Sequence, residues 1–192
     1  LSEIKILVAY SGGIDSSVLL DIVNKLSQTM NFKYDFVYIN HHMTLNDKNI
    51  LKYSRDFSKK NKINFIYHSI SELPTKNKEA FYREYRYNYF DCLRIKNEYN
   101  FIFTAHHYDD QLETLYMRTL GRYDWTNLLG VRESKSFIRR PLLKVRKINI
   151  IDYANHNNLD WFFDCTNNDT RLLRNNIRNN IFPKKNKIFF YF

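Results

Sequence analysis

From Ile4 to Phe163 the chain alternates short apolar runs with segments of helical spacing, and this alternation restricts the fold more than any other feature. Ile4–Tyr10 is a near-continuous apolar run, as a strand buried on both faces requires. Ile14–Leu26 follows, with Ile14, Val18, Ile22 and Leu26 on one stripe of a helix. The pattern then repeats. Further strands are predicted at Tyr34–Asn40, Ile63–Tyr67, Phe101–Ala105 and Ser136–Arg139, with Trp161–Phe163 a short final strand. Helices are predicted at Asn46–Lys60, Lys76–Tyr99, Asp109–Leu120 and Arg146–Asn157. Strands that alternate with helices pack as a parallel sheet covered on both faces. The expectation is an α/β fold, a doubly wound, mainly parallel five-stranded sheet. Such sheets bind ligands beyond the carboxyl ends of their strands. That rule selects three loops: Ser11–Ser17, His41–Thr44 and His106–Asp110.

The first loop holds two of the four glycines in the chain, Gly12 and Gly13, side by side. Glycine permits positive φ and lets backbone N–H groups come close to a ligand. The helix that follows directs its N-terminal N–H groups and positive dipole end toward the same place. Ser11, Ser16 and Ser17 add hydroxyl donors, so the loop suits a pyrophosphate. No Gly-Lys-Ser/Thr follows, which excludes a Walker A loop, and the third glycine of the dinucleotide fingerprint is missing. Asp15 is the informative member. A carboxylate beside a phosphate is repulsive unless a cation bridges the two, so Mg²⁺ is expected at Asp15. The plainer role for Asp15 is to cap the helix.

Charge points to the partner. Thirty Lys and Arg against 20 Asp and Glu give a net charge of +10 and a pI near 9.5, which favours a polyanion such as nucleic acid. A composition rich in Asn, Lys, Ile, Tyr and Phe also arises from AT-rich codons, so charge alone does not decide. Cys92 and Cys165 form no CxxC, which argues against a zinc ribbon, a redox pair or a disulfide scaffold. No apolar run approaches the ~18 residues of a membrane span, and the N-terminus has no signal-peptide layout. The expectation is a cytoplasmic protein, or a plastid stromal one if organelle-encoded, with no membrane partner.

Three helical faces carry further chemistry. Asp110, Glu113 and Thr114 fall at i, i+3 and i+4 near a helix start. Two carboxylates there can hold an ammonium group, or only complement the helix dipole. His106 and His107 precede that helix, and adjacent side chains diverge. Zinc would therefore require the His41–His42 pair to join them, and contact with phosphate or an adenylate is the simpler role. Glu79, Arg83, Arg86 and Tyr87 share one face, amid Phe81, Tyr82, Tyr85 and Tyr89, which implies a partly buried helix. Arg171, Arg174, Asn175 and Arg178 form a basic, amide-rich stretch.

"SGGIDSS", Ser11–Ser17, resembles the SGGxDS loop of the PP-loop ATP pyrophosphatases, whose fold is adenine nucleotide alpha hydrolase-like. "FTAHHYDDQLET", Phe103–Thr114, is similar to the AHHxDDQxET segment of the tRNA(Ile)-lysidine synthetase family. "INHHM", "EAFYREYRY", "RRPLLKVRK" and "DCTNNDTRLLRNNIR" resemble further segments of that family, in family order up to Pro183. The resemblance implies an ATP site on Ser11, Gly12, Gly13, Ile14, Asp15, Ser16, Ser17 and His106, with Mg²⁺ at Asp15. It implies that Asp15, Asp110 and Glu113 are catalytic, and that Asp110 and Glu113 hold free lysine. His41, His42, Arg83, Arg86, Arg174, Asn175 and Arg178 would contact tRNA or nucleotide.

The reaction implied adenylates O2 of the wobble cytidine in an isoleucine tRNA with a CAU anticodon. Lysine then displaces AMP from C2. The catalytic domain is expected at residues 1–183 and a basic, aromatic tail at 184–192, with no separate C-terminal tRNA-binding domain. Grip on tRNA would then come from this domain, a partner or a homodimer. Two departures stand out: the family's glycine-rich LLRGxGxxGLxGM segment is "MRTLGRYDWTNLLGV" here, and Thr166 replaces a usual Ser. Another PP-loop tRNA-modifying enzyme, such as a thiolase, and a non-catalytic nucleotide- or RNA-binding module are the alternatives.

Overall fold

The computed structural model describes residues 3–42, 45–71, 74, 78–120, 131–162 and 177, with the backbone but not the side chain of Glu79. The strands are β1 (Ile4–Tyr10), β2 (Phe32–Asn40), β3 (Phe65–Ser69), β4 (Phe101–Phe103), β5 (Ser134–Lys135) and β6 (Ile138–Arg139). The helices are α1 (Ile14–Ser27), α2 (Asp47–Asn61), α3 (Lys78–Asn97), α4 (Tyr108–Leu120) and α5 (Lys147–His156). The sheet order is β3-β2-β1-β4-β6-β5, and every pairing is parallel except β5 with β6.

The expected α/β architecture stands, with two corrections. The sheet has six strands among the described residues, not five. Ser134–Lys135 turns back on Ile138–Arg139 through Ser136, whose φ is 54°. Two residues leave no periodic signal in a sequence. Of the final strand expected at Trp161–Phe163, Trp161 and Phe162 are not in the sheet, and Phe163 lies outside the described residues. Phe162 instead donates its N–H to the Gly12 carbonyl at 2.8 Å, so this segment braces the glycine loop.

Two cores sandwich the sheet. On one face Val18, Leu19 and Val23 of α1, Ile50 of α2 and Ile150 and Ala154 of α5 pack on Val8 and Phe36. On the other, Tyr82, Phe90 and Leu93 of α3 pack on Leu7, Val37, Ile39 and Ile102. Leu7, Val8, Phe36 and Ile102 are fully buried, each stabilising the fold by roughly 1.5–3 kcal/mol. Successive strands β1, β2 and β3 run to one side, and the chain then crosses to β4 on the other side of β1. The order reverses between β1 and β4, so the loops after these two strands flank the crevice where such sheets hold ligands. No helix of the described residues is long and apolar enough to cross a membrane.

The two glycines differ in purpose. Gly12 has φ +83°, and a Cβ there would lie 2.7 Å from Ile50 Cδ1 and Cγ1. Gly13 has an ordinary φ of −76°, and among the described residues its Cβ would meet only Ser11 Oγ at 3.7 Å. Gly12→Ala combines left-handed strain with overlap against a buried side chain, about 2–4 kcal/mol in total. The expected fall in Tm is roughly 5–12 °C. Gly13→Ala should melt within about 2 °C of the parent. Thermal unfolding followed by circular dichroism checks both.

Candidate active site

The glycine loop is held from inside by Ser16. Its Oγ accepts the Ser11 N–H at 3.1 Å, donates to the Gly13 carbonyl at 2.8 Å and lies 3.0 Å from Ser11 Oγ. Ser16 and Ser17 are 3% and 4% exposed, whereas Ser11 is open to solvent. Of the three hydroxyls expected at a phosphate, Ser11 therefore faces outward and the other two sit beneath the loop. Gly13 and Ile14 are half-buried at the start of α1, where helical N–H groups lack intrahelical partners. Among the described residues nothing crowds a side chain at Gly13.

Asp15, in the first turn of α1, accepts from Lys147 Nζ at 2.5 Å. Lys147 is the first residue of α5, and its backbone N–H donates to Asp109 Oδ2 at 2.7 Å. The Tyr108 N–H donates to the Val145 carbonyl at 3.0 Å, and Arg146 Nε lies 3.8 Å from Asp109 Oδ1. Residues Val145–Lys147 are thus docked on the start of α4, which carries Lys147 across to the glycine loop.

His107 lies at the centre of this assembly, 2% exposed. Its Nε2 is 3.7 Å from Asp15 Oδ1 and 3.5 Å from Asp110 Oδ2, and its Nδ1 is 3.7 Å from Asp109 Oδ2. The His107 backbone N–H donates to Asp110 Oδ2 at 3.0 Å, so that carboxylate caps α4. Three carboxylates from the first turns of α1 and α4 thus lie 3.5–3.7 Å from one imidazole. Glu113 follows one turn along α4, on the face of Asp110. Both are buried, at 1% and 7% exposure, and neither is without a partner.

The donor set can be judged for a cation. Asp15 and Asp110 both approach His107 Nε2, which brings their oxygens toward one point beside the glycine loop. Mg²⁺ takes one or two carboxylates and completes its shell with water and substrate phosphates. Asp15 and Asp110 fit that requirement. A zinc site does not arise: among the described residues no three His, Cys, Asp or Glu side chains are grouped to hold a metal.

The other predicted residues spread around the rim. His106 Nδ1 is 3.1 Å from Thr104 Oγ1. His42 has φ 54° and is exposed, with Nε2 2.7 Å from Ser69 Oγ. His41 packs its ring 4.9 Å from Tyr82, and burial together with the Arg86 guanidinium pushes its pKa down to about 4. It is neutral at pH 7, so any contact with phosphate is a hydrogen bond and not an ion pair. Arg86 thus faces the end of β2, while Arg83 is exposed with its guanidinium 5.2 Å from the Tyr87 ring. The Glu79 side chain, Arg171, Arg174, Asn175, Arg178, Cys165, Thr166, residues 121–130 and the tail at 184–192 lie outside the described residues.

The depressed His41 pKa has a measurable sign. The unfolded chain takes up this proton near pH 6.5, the folded chain only near 4. Stability present above pH 6.5 is therefore lost as pH falls toward 4. His41→Gln keeps a neutral polar group and should lose less Tm between pH 7 and pH 5 than the parent, as paired thermal melts would show.

Sequence reasoning missed Lys147, Asp109 and the central place of His107. Lys147 stood inside the quoted segment "RRPLLKVRK", but nothing local ties it to a loop 132 residues earlier.

A family profile for the PP-loop domain matches residues 1–185. A tRNA(Ile)-lysidine synthase from Francisella tularensis is 32% identical over 95% of this chain and 48% of its own length. One from Histophilus somni is 34% identical over 95% of this chain and 44% of its own. The chain therefore spans about half the length of these relatives. Among solved structures, a U34-tRNA thiolase from Methanococcus maripaludis superposes with a TM-score of 0.68 at 20% identity, over 84% of this chain and 60% of that one. At that identity the likeness concerns the fold.

Proposed function

The chain belongs to the PP-loop family, and from that premise we propose that it adenylates the wobble cytidine of an isoleucine tRNA with a CAU anticodon and joins lysine to C2. The observation that carries the reading is the meeting of Asp15, Asp110 and Lys147 around the glycine loop, with Glu113 one turn deeper. The matches to lysidine synthases along 95% of the chain support it.

In this mechanism the α1 N-terminus, Ser11 and the bare Gly13 backbone bind the β- and γ-phosphates of ATP. Mg²⁺, held by Asp15 with Asp110 beside it, would neutralise charge on the phosphates. Lys147 leaves Asp15 for the departing pyrophosphate and stabilises its developing charge. The cytidine O2 attacks the α-phosphorus, and pyrophosphate leaves. The buried Asp110–Glu113 face then takes the lysine ammonium, which must lose a proton before its ε-nitrogen attacks C2. A carboxylate within hydrogen-bond reach accepts that proton. AMP departs from C2. A tRNA substrate puts the reaction in the cytoplasm, or in the plastid stroma for an organelle-encoded chain.

Lys147→Met should lower tRNA-dependent pyrophosphate release by about 10²-fold, with lysine consumption of preformed adenylate unaffected. Pyrophosphate release with this tRNA, compared with a methionine tRNA of the same anticodon, tests the reading. Equal release with both, or none with either, would count against it.

A thiolase requires sulfur-handling cysteines. Cys92 is exposed on α3, about 9 Å of helix from Arg86 and about 15 Å from Tyr82. The Cys92→Ser/Cys165→Ser double variant should retain lysidine formation within about twofold. Its complete loss with folding intact would favour thiolation.

A further inference from the structure

α2 carries four of its five cations in one line, with Lys60 exposed outside it. Lys48, Lys52, Arg55 and Lys59 stand at i, i+4, i+7 and i+11, and all four are exposed. They share a single helix face. Asp56 is the one exposed acid on the helix. The ion pairs of the described residues use other cations, namely Lys25, Lys33, Arg94, Lys144, Arg146 and Lys147. Like charges four residues apart repel and weaken the helix. Asp56, four residues after Lys52 and three before Lys59, offsets only part of that repulsion, and four cations against one acid leave an external polyanion as the natural complement.

The position of the row specifies the polyanion. Asp47, at the start of α2, accepts from the Tyr38 hydroxyl at 2.6 Å, and Ile50 packs against Gly12. The first turn of α2 therefore lies beside the phosphate loop, and the row runs away from it along the outward face of the helix, opposite Ile50. Lys48 to Lys59 spans about 16 Å of helix, comparable to about five nucleotides at 3.4 Å per step. An anionic bilayer is the poorer occupant. A helix lying on a membrane must bury an apolar face in it, and here Ile50, Tyr53 and Phe57 are already packed against the protein core.

We propose that the Lys48–Lys52–Arg55–Lys59 face of α2 is an RNA-docking surface that binds the phosphate backbone of the substrate and leads it to the glycine loop. The inference rests on the reading of this chain as a tRNA-modifying enzyme, and assigns where the RNA is gripped.

The test compares two variants of equal charge change. One is K48E/K52E/R55E/K59E. The other, K33E/K96E/K135E/K144E, reverses four exposed lysines elsewhere. Binding of unmodified isoleucine tRNA is measured against KCl concentration, with circular dichroism and ATP binding as controls. The α2 variant should bind at least tenfold more weakly than the other, and its slope of log affinity on log salt should be shallower than the parent's by about 3. Should the reversal fail to fold, K48Q/K52Q/R55Q/K59Q gives the same slope change without new acids. An unchanged slope, equal losses in the two reversal variants, or loss of binding to phosphatidylserine vesicles with tRNA binding intact would overturn the surface. Lysidine formation is read separately. A parent that forms lysidine while the α2 variant binds tRNA normally defeats the surface alone. A parent that forms none, yet loses RNA affinity on reversal, defeats the functional reading alone.

Discussion

Asp15→Asn is expected to abolish tRNA-dependent formation of AMP and pyrophosphate, a loss of about 10³-fold or more, while the protein remains folded. The amide has the shape of the carboxylate, so the turn into α1 is preserved. What disappears is charge. Asp15 accepts from Lys147 at 2.5 Å and lies 3.7 Å from His107. Without it, Lys147 loses its resting partner and the phosphates lose the carboxylate that fits a bridging cation. Because Asp15 is partly exposed, the stability change should stay within about 1 kcal/mol, the range of an exposed ion pair. Pyrophosphate release, AMP yield and a thermal melt on one preparation check the prediction. An Asn variant with parental turnover would remove Asp15 from the chemistry.

Glu113→Gln is expected to separate the two half-reactions. Adenylate should form at close to the parental rate, and its consumption on adding lysine should slow by about 10²–10³-fold. The argument rests on depth. Asp110 caps α4 through the His107 N–H and shares His107 with Asp15, which ties it to the phosphate side of the site. Glu113 lies one turn further along, at 1% exposure, and has a partner within the protein. A carboxylate so placed both favours an arriving ammonium and, within hydrogen-bond reach, takes its proton. Asp110→Asn should impair both steps. If Glu113→Gln lost adenylation but consumed preformed adenylate normally, Glu113 would belong to the ATP side and the lysine assignment would be wrong.

The strand and helix order was legible because each element advertises its own period. β1 and α1 fall within a residue of their expected ranges, and the helical spacing of Asp110 and Glu113 puts both on one face. Long-range pairing was not legible. Lys147 meets Asp15 only because α5 docks across the start of α4. Gly12 needs to be bare because of Ile50, a residue in another helix, whereas Gly13 does not. Ser16 reads as one more hydroxyl in the loop, yet its bonds turn inward. The hairpin at Ser134–Arg139 is too short for periodicity, and Trp161–Phe162 has the composition of a strand but its described hydrogen bond goes to the loop.

The most direct measurement incubates the protein with ATP, Mg²⁺, labelled lysine and an isoleucine tRNA carrying a CAU anticodon, then digests the tRNA to nucleosides and separates them. The account predicts label on one nucleoside, the wobble cytidine converted to lysidine, with AMP and pyrophosphate released in equal amounts. It predicts none of these with the Asp15→Asn protein. Release of AMP and pyrophosphate with no labelled nucleoside, or label on a residue other than the wobble cytidine, would contradict it.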